Sequence, residues 1–150
     1  MLGVVFALSI SANADSSFLT QIRVIVKVAY VLATNMASSY KLASMILPQI
    51  EQGTHGADVI GIFFFDDNLF CLRKGDAVGE RLALIAKQKN ILLMVCDMCA
   101  VRRGLAVGTL DQCGSGAVKA QGLVDGVVAG CFPQLYGALG GSPPDYVITL

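Results

Sequence analysis

Three apolar runs constrain this chain more than any other feature. They are "IRVIVKVAYVLA" (22–33), "ADVIGIFFFDD" (57–67) and "ILLMV" (91–95). The first is rich in Val and Ile, and the second is nearly continuous, which suits a strand buried on both faces of a parallel sheet. The stretches between them change period. In "TNMASSYKLASMILPQIEQG" (34–53), Met36, Tyr40, Ala43 and Leu47 recur at helical spacing, with Thr34, Asn35 and Ser38 as caps and Gly53 as a stop. Pro48 inside it is expected to kink or shorten the helix. "DAVGERLALIAKQKN" (76–90) places Val78, Leu82, Ile85 and Ala86 on one side and its charges on the other.

Strand, helix, strand, helix, strand in this rhythm predicts an α/β fold. The expected architecture is a three-layer α/β/α sandwich of the Rossmann or flavodoxin kind, with a mostly parallel sheet of about five strands. Beyond Gly104 the pattern loosens into loop through residues 105–122. "LVDGVVAGCFPQLYGALGG" (123–141) reads as a short strand or turn followed by a helix from about Pro133. "DYVITL" closes the chain as a strand after Pro143 and Pro144.

The chain has 150 residues, of which 55% are hydrophobic and 15% charged, with sixteen glycines. This balance excludes a disordered chain. We expect one domain over residues 21–150 behind an N-terminal extension, residues 1–20. So few charges imply that part of the surface is covered by other subunits. Lys plus Arg and Asp plus Glu number eleven each, with no basic run, which argues against a nucleic-acid partner. No apolar run is long enough to span a bilayer. The opening "MLGVVFALSISANADSS" has a small-residue "ANA" like a signal-peptidase site, yet no basic residue before its apolar run, and an over-long gene start gives the same pattern. The expected location is cytoplasmic, with export as the alternative. Five cysteines leave at least one unpaired within the chain, and they are read as mostly reduced thiols.

Right-handed crossovers bring parallel strand ends to one edge of a sheet, where ligands bind in such folds. Three stretches are expected there together: "ATNMASS", "FDDNLFCLRKG" and "CDMCAVRRG". In the last, Cys96 and Cys99 are either small packing residues or a reaction site. A helix starting near Asp97 would aim its N–H groups at Cys96 and, helped by an arginine, lower its pKa. A shift of about two units would make most of it thiolate, worth about 2.7 kcal/mol. Asp97 opposes this if its carboxylate points at the sulfur. Arg102 and Arg103 before Gly104 read equally as ordinary helix C-terminal residues or as side chains folded toward the sulfur. Asp66 and Asp67 suit a turn, with Asp67 lining the site, and Cys71 stands on a neighbouring loop. One C-x-x-C without a second pair does not make a zinc site. His55, the only histidine, falls at the opposite edge as a solvated turn residue.

These segments resemble the DsrE/TusD-type sulfur-relay family over residues 22–150. The resemblance rests on "ASSYKLASMIL", "GIFFFDDNLF", "GVVAGCFPQLYGAL", the closing "DYVITL" and above all "VCDMCAVRRGL". The family's active cysteine stands at a strand end six residues before Arg-Arg-Gly, and Cys96 stands six before Arg102-Arg103-Gly104. The resemblance implies a sulfurtransferase-type carrier that holds sulfur as a persulfide on Cys96 and passes it from a donor protein to an acceptor protein. It further implies a trimer or hexamer that needs neither metal nor organic cofactor. Cys99 departs from the family pattern, as do Cys71, Cys113, Cys131 and the N-terminal extension. Cys99 leaves two alternatives beside the carrier: a thiol–disulfide redox protein or sensor using Cys96 and Cys99, and a non-catalytic oligomeric interaction subunit whose cysteines only pack.

Overall fold

Alternation along each apolar run decides which side chains meet which layer. In β1 (Lys27–Leu32), Val28, Tyr30 and Leu32 face one side of the sheet and Ala29 and Val31 the other. In β3 (Leu92–Cys96), Leu93 and Val95 face the first side and Leu92 and Met94 the second. β2 (Asp58–Phe64) lies between them and carries one irregularity: Val28 pairs with Val59 and Ala29 with Gly61, so Ile60 is skipped. This structure, a computed structural model, describes residues 25–150. The N-terminal extension and the first three residues of the first predicted strand lie outside the described residues.

Two short strands follow β3, β4 (Ala106–Val107) and β5 (Lys119–Ala120), which pair antiparallel with each other. Then come β6 (Val127–Gly130) and β7 (Tyr146–Thr149). The main sheet has five strands in the order β6-β3-β2-β1-β7, and every neighbouring pair is parallel. Leu32, Phe64, Cys96, Gly130 and Thr149 therefore end their strands on one edge.

One face of the sheet carries a thick helical layer. Residues Ala37–Ile46 are wound as a π-helix that runs directly into α1 (Leu47–Gln52). Pro48 stands where the winding changes, so it does not end the helix. Gly53, at φ 70°, ends it as a left-handed cap. In α2 (Ala77–Lys89), the Asp76 side chain accepts the N–H groups of Val78 and Gly79 at 2.9 and 3.2 Å. α2 also sits tightly on the 3-10 turn Asp66–Leu72: a side chain at Gly79 would run into the Cys71 carbonyl. Among the described residues the second face is covered by α4 (Phe132–Gly141), whose Leu135 and Leu139 rest on Ala29, Phe63 and Met94. α3 (Asp97–Arg102) is a short link leaving the end of β3.

Parallel strands with helices on both faces match the predicted α/β sandwich. The first strand is shorter than its apolar run, starting at Lys27. The 105–122 segment is more structured than its loop-like composition suggested, because Gly108, at φ 142°, and a 3-10 turn at Leu110–Gln112 fold β5 back onto β4. Val127–Gly130 resolves the strand-or-turn alternative as an edge strand. Among the described residues no helix is long and apolar enough to cross a membrane.

Leu82 and Leu84, two residues apart on α2, separate packing from helix propensity. Leu82 is fully buried and Leu84 is 66% exposed. Urea unfolding should show Leu82→Ala destabilised by about 2–5 kcal/mol and Leu84→Ala by at most about 0.5 kcal/mol. Equal losses would contradict this placement of α2.

Candidate functional site

The last residue of β3 is also the N-cap of α3. Cys96 leaves the sheet with extended-type torsions, and its sulfur accepts the backbone N–H of Cys99 at 3.4 Å. The C-x-x-C spacing is thus that of an N-cap and its third helical residue, which brings the second thiol back over the first turn. Both thiols are half-buried, and all five described cysteines are free.

The exit of β2 approaches the same thiols. Asp66 follows the strand in a left-handed conformation (φ 51°), which costs a non-glycine residue free energy. This turn aims the Asp66 N–H at the Cys99 sulfur, 3.4 Å away, while Cys99 faces an Asp66 carboxylate oxygen at 3.9 Å. Arg103 closes the group. It donates to Asp67 from Nε at 2.8 Å, lies 2.8 Å from the same carboxylate through its second guanidinium nitrogen, and donates to the Cys99 carbonyl at 3.2 Å. Its distance to Asp66 is 4.0 Å. Both carboxylates are well exposed, so screening keeps these pairs worth about 0–1 kcal/mol each. Their contribution is positional: they hold the β2 exit against α3.

Burial pushes the Cys96 thiol up to about 12, and this outweighs the N–H of Cys99, which acts in the opposite direction. The Cys99 thiol and the Asp97 carboxylate add smaller upward effects. The expected lowering by a helix terminus and an arginine is therefore corrected. α3 offers a single N–H to the sulfur, and the guanidinium of Arg103 is taken by Asp67. Arg102 is exposed on the last turn and forms no ion pair among the described residues, while Gly104, at φ 66°, ends α3. The two arginines therefore divide the two roles read for them: Arg102 lies on the helix end and Arg103 reaches the site.

Asp97 is 1% exposed, and both of its oxygens are engaged. One accepts the N–H of Met98 at 2.6 Å and the other the N–H of Gly114 at 2.7 Å. It anchors the loop after β4 to the site. The Gly114 carbonyl in turn accepts from the Gln134 side chain at 2.9 Å, and Gln134 accepts the N–H of Cys131 at 3.0 Å. Cys113 and Cys131 are thereby drawn to the same edge as Cys96. Their 18-residue separation in sequence hides that one loop and one strand end converge.

Cys71 lies elsewhere. Its thiol donates to the Asn68 carbonyl at 3.2 Å, and burial pushes it up to about 12. It lines a cavity of about 950 Å³ with Thr34, Asn35, Asp66, Asp67 and Arg73. That cavity adjoins the dithiol through the two aspartates, and neither Cys96 nor Cys99 lines it. Asn68, 6% exposed, ties its wall to β1 through the Leu32 and Thr34 carbonyls and the Ser38 N–H. His55 is at the opposite edge, as expected, but it is not simply solvated: it contacts the Tyr30 hydroxyl at 2.9 Å and Gln49 at 3.1 Å. Among the described residues no three His, Cys, Asp or Glu side chains gather closely enough to hold a metal ion.

The buried state of Cys96 has a kinetic signature. Alkylation of Cys96, followed by peptide mass mapping, should accelerate about tenfold per pH unit from pH 7 to pH 10 without a plateau. A plateau beginning near pH 7 would contradict the site described here.

No protein-family model and no curated protein matches the chain. Among solved structures, the chain is similar to the YchN protein of E. coli, with a TM-score of 0.54 and 17% identity over 84% of this chain and 99% of that one. It is also similar to BT1422, a conserved protein of unknown function from Bacteroides thetaiotaomicron, with a TM-score of 0.48 and 14% identity over 83% of this chain and 94% of that one. The likeness to YchN shows the fold: a DsrE-like α/β sandwich.

Proposed function

We propose that the protein is a sulfur carrier that holds a sulfane sulfur as a persulfide on Cys96. The observation that carries this reading is the position of Cys96. Its sulfur caps a helix at the end of a central parallel strand, with Cys99 on the first turn of that helix and Asp66 of the β2 exit against Cys99. Donor and acceptor are proteins presenting their own reactive cysteines, as the family resemblance implies.

Cys96 is protonated at neutral pH, so sulfur loading begins with loss of its proton. Cys96 is half-buried, so its proton passes to water, with the exposed Asp66 carboxylate, 3.9 Å from the Cys99 sulfur, standing near as an acceptor. The thiolate attacks the outer sulfur of a donor persulfide. A new S–S bond forms at Cys96, the donor S–S bond breaks, and the donor cysteine leaves as a thiolate. Transfer to the acceptor is the same exchange with Cys96 as leaving group, so no net electrons are gained or lost. The Asp66 and Cys99 N–H groups stand beside the dithiol as donors for the charged persulfide.

One observation favours a second reading. The Cys99 N–H on the Cys96 sulfur brings the second free thiol back over the first, which also suits a Cys96–Cys99 disulfide formed with a two-electron oxidant such as a partner disulfide. Oligomer formation belongs to the proposal as well. The face bearing α4 exposes Val128, Phe132, Tyr136 and Val147, and we assign its cover to further copies of this chain, as a trimer or hexamer.

Intact mass measurement after incubation with a persulfide donor separates the two chemistries. The carrier gains sulfur in wild type and Cys99→Ser and none at this site in Cys96→Ser. Loss of two hydrogens requiring both cysteines, without sulfur gain, would replace the carrier with the redox protein. Light scattering should give an oligomeric mass that Tyr136→Glu lowers, and a wild-type monomer would remove the assembly proposal.

A further inference from the structure

β3 and β6 are neighbours in the sheet, and Cys96 is in register with Gly130. Parallel strands run about 4.8 Å apart, so Cys131, the next residue, emerges beside Cys96. The two ends are built alike. Cys96 caps α3, with the N–H of the third helical residue on its sulfur. Cys131 is the N-cap of the ten-residue α4, its sulfur turned toward the N–H of the third helical residue, Gln134. Both cysteines line one narrow cleft with Phe63, Phe65, Met94 and Leu135. Its volume, about 10 Å³, excludes an organic ligand and leaves about one atom's worth of room between apolar walls. Gln134 holds Cys131 in place by accepting its N–H and donating to Gly114, whose own N–H is held by the buried Asp97 next to Cys96.

We propose that Cys131 is a second sulfur-holding residue, which receives the sulfane sulfur from Cys96 inside the same chain. The proposal rests on the persulfide reading of Cys96. In the step, the Cys131 thiolate attacks the outer sulfur of the Cys96 persulfide. An S–S bond forms at Cys131, the S–S bond at Cys96 breaks, and Cys96 leaves as a thiolate that takes up a proton. One thiolate and one persulfide enter and one of each leaves, so no oxidant or reductant is required. Burial favours the proton's return to Cys96, whose thiol is pushed up to about 12. The apolar walls of the cleft, Phe63, Met94 and Leu135, leave room for about one atom between the two sulfurs, which keeps the transfer path short. Cys96 is then emptied without an acceptor bound, and the site presents a second outlet beside the exposed Phe132.

The test loads the reduced full-length protein with cysteine persulfide, quenches with iodoacetamide over a time course, and maps by peptide mass which cysteine carries the extra sulfur. Wild type should show sulfur first on Cys96 and then on Cys131. Cys131→Ser should keep its sulfur on Cys96 with a lifetime at least about tenfold longer. Cys96→Ser should load Cys131 at least about tenfold more slowly, and Cys113→Ser should behave as wild type. Equal Cys96 lifetimes in wild type and Cys131→Ser would overturn the proposal, as would unchanged loading of Cys131 in Cys96→Ser or appearance of the sulfur on Cys113 instead. Absence of sulfur from Cys96 in wild type would overturn the carrier reading itself, and this proposal with it. A circular-dichroism spectrum matching wild type establishes that each variant is folded.

Discussion

Desolvation at the end of β3 is the interaction on which the rest of the site depends. Cys96 is the last residue of an apolar strand flanked on both sides by parallel neighbours, and that position withdraws its sulfur from water. The thiol is held neutral there, and the surrounding groups act against that default. Cys99 offers an N–H and a thiol, and Asp66 and Arg103 hold the β2 exit in reach. A resting thiol that keeps its proton is slow toward adventitious electrophiles and oxidants. Under the proposed carrier function it reacts when a partner with a matched leaving group docks, the discrimination such a carrier requires.

The same parallel topology explains why so many thiols share one edge. Two of its strand-to-helix turns put a cysteine at the helix N-cap: Cys96, whose sulfur accepts the N–H of Cys99, and Cys131, whose own N–H is held by Gln134. Asp97 and Gln134 fasten the intervening loop to both turns through Gly114. Cys71 is the contrast. It lies on the same side of the sheet but donates to Asn68 and lines a separate cavity, and α2 closes over its backbone at Gly79.

Much of the fold was legible because period-two and helical patterns are written in apolar residues. The ends of β2 and β3 and both main helices fall within a few residues of their sequence assignment, as does the gathering of "FDDNLFCLRKG" and "CDMCAVRRG" at one edge. Less legible was anything set by a backbone torsion. The left-handed Asp66, which aims an N–H at Cys99, has no sequence signature beyond an ordinary turn aspartate. The sign of the Cys96 shift is not legible in sequence, because a helix N-terminus is visible there and the degree of burial is not. The pairing of β4 with β5 and the approach of Cys113 and Cys131 to Cys96 depend on tertiary contacts that no local pattern encodes.

The central claim is that Cys96 holds a transferable sulfane sulfur, and its most direct test is chemical. Protein loaded briefly with a persulfide donor, freed of excess donor and treated with cyanide should release thiocyanate, and Cys96→Ser loaded for the same short time should release at least about tenfold less. Equal release from wild type and Cys96→Ser, or none from either, would contradict the account.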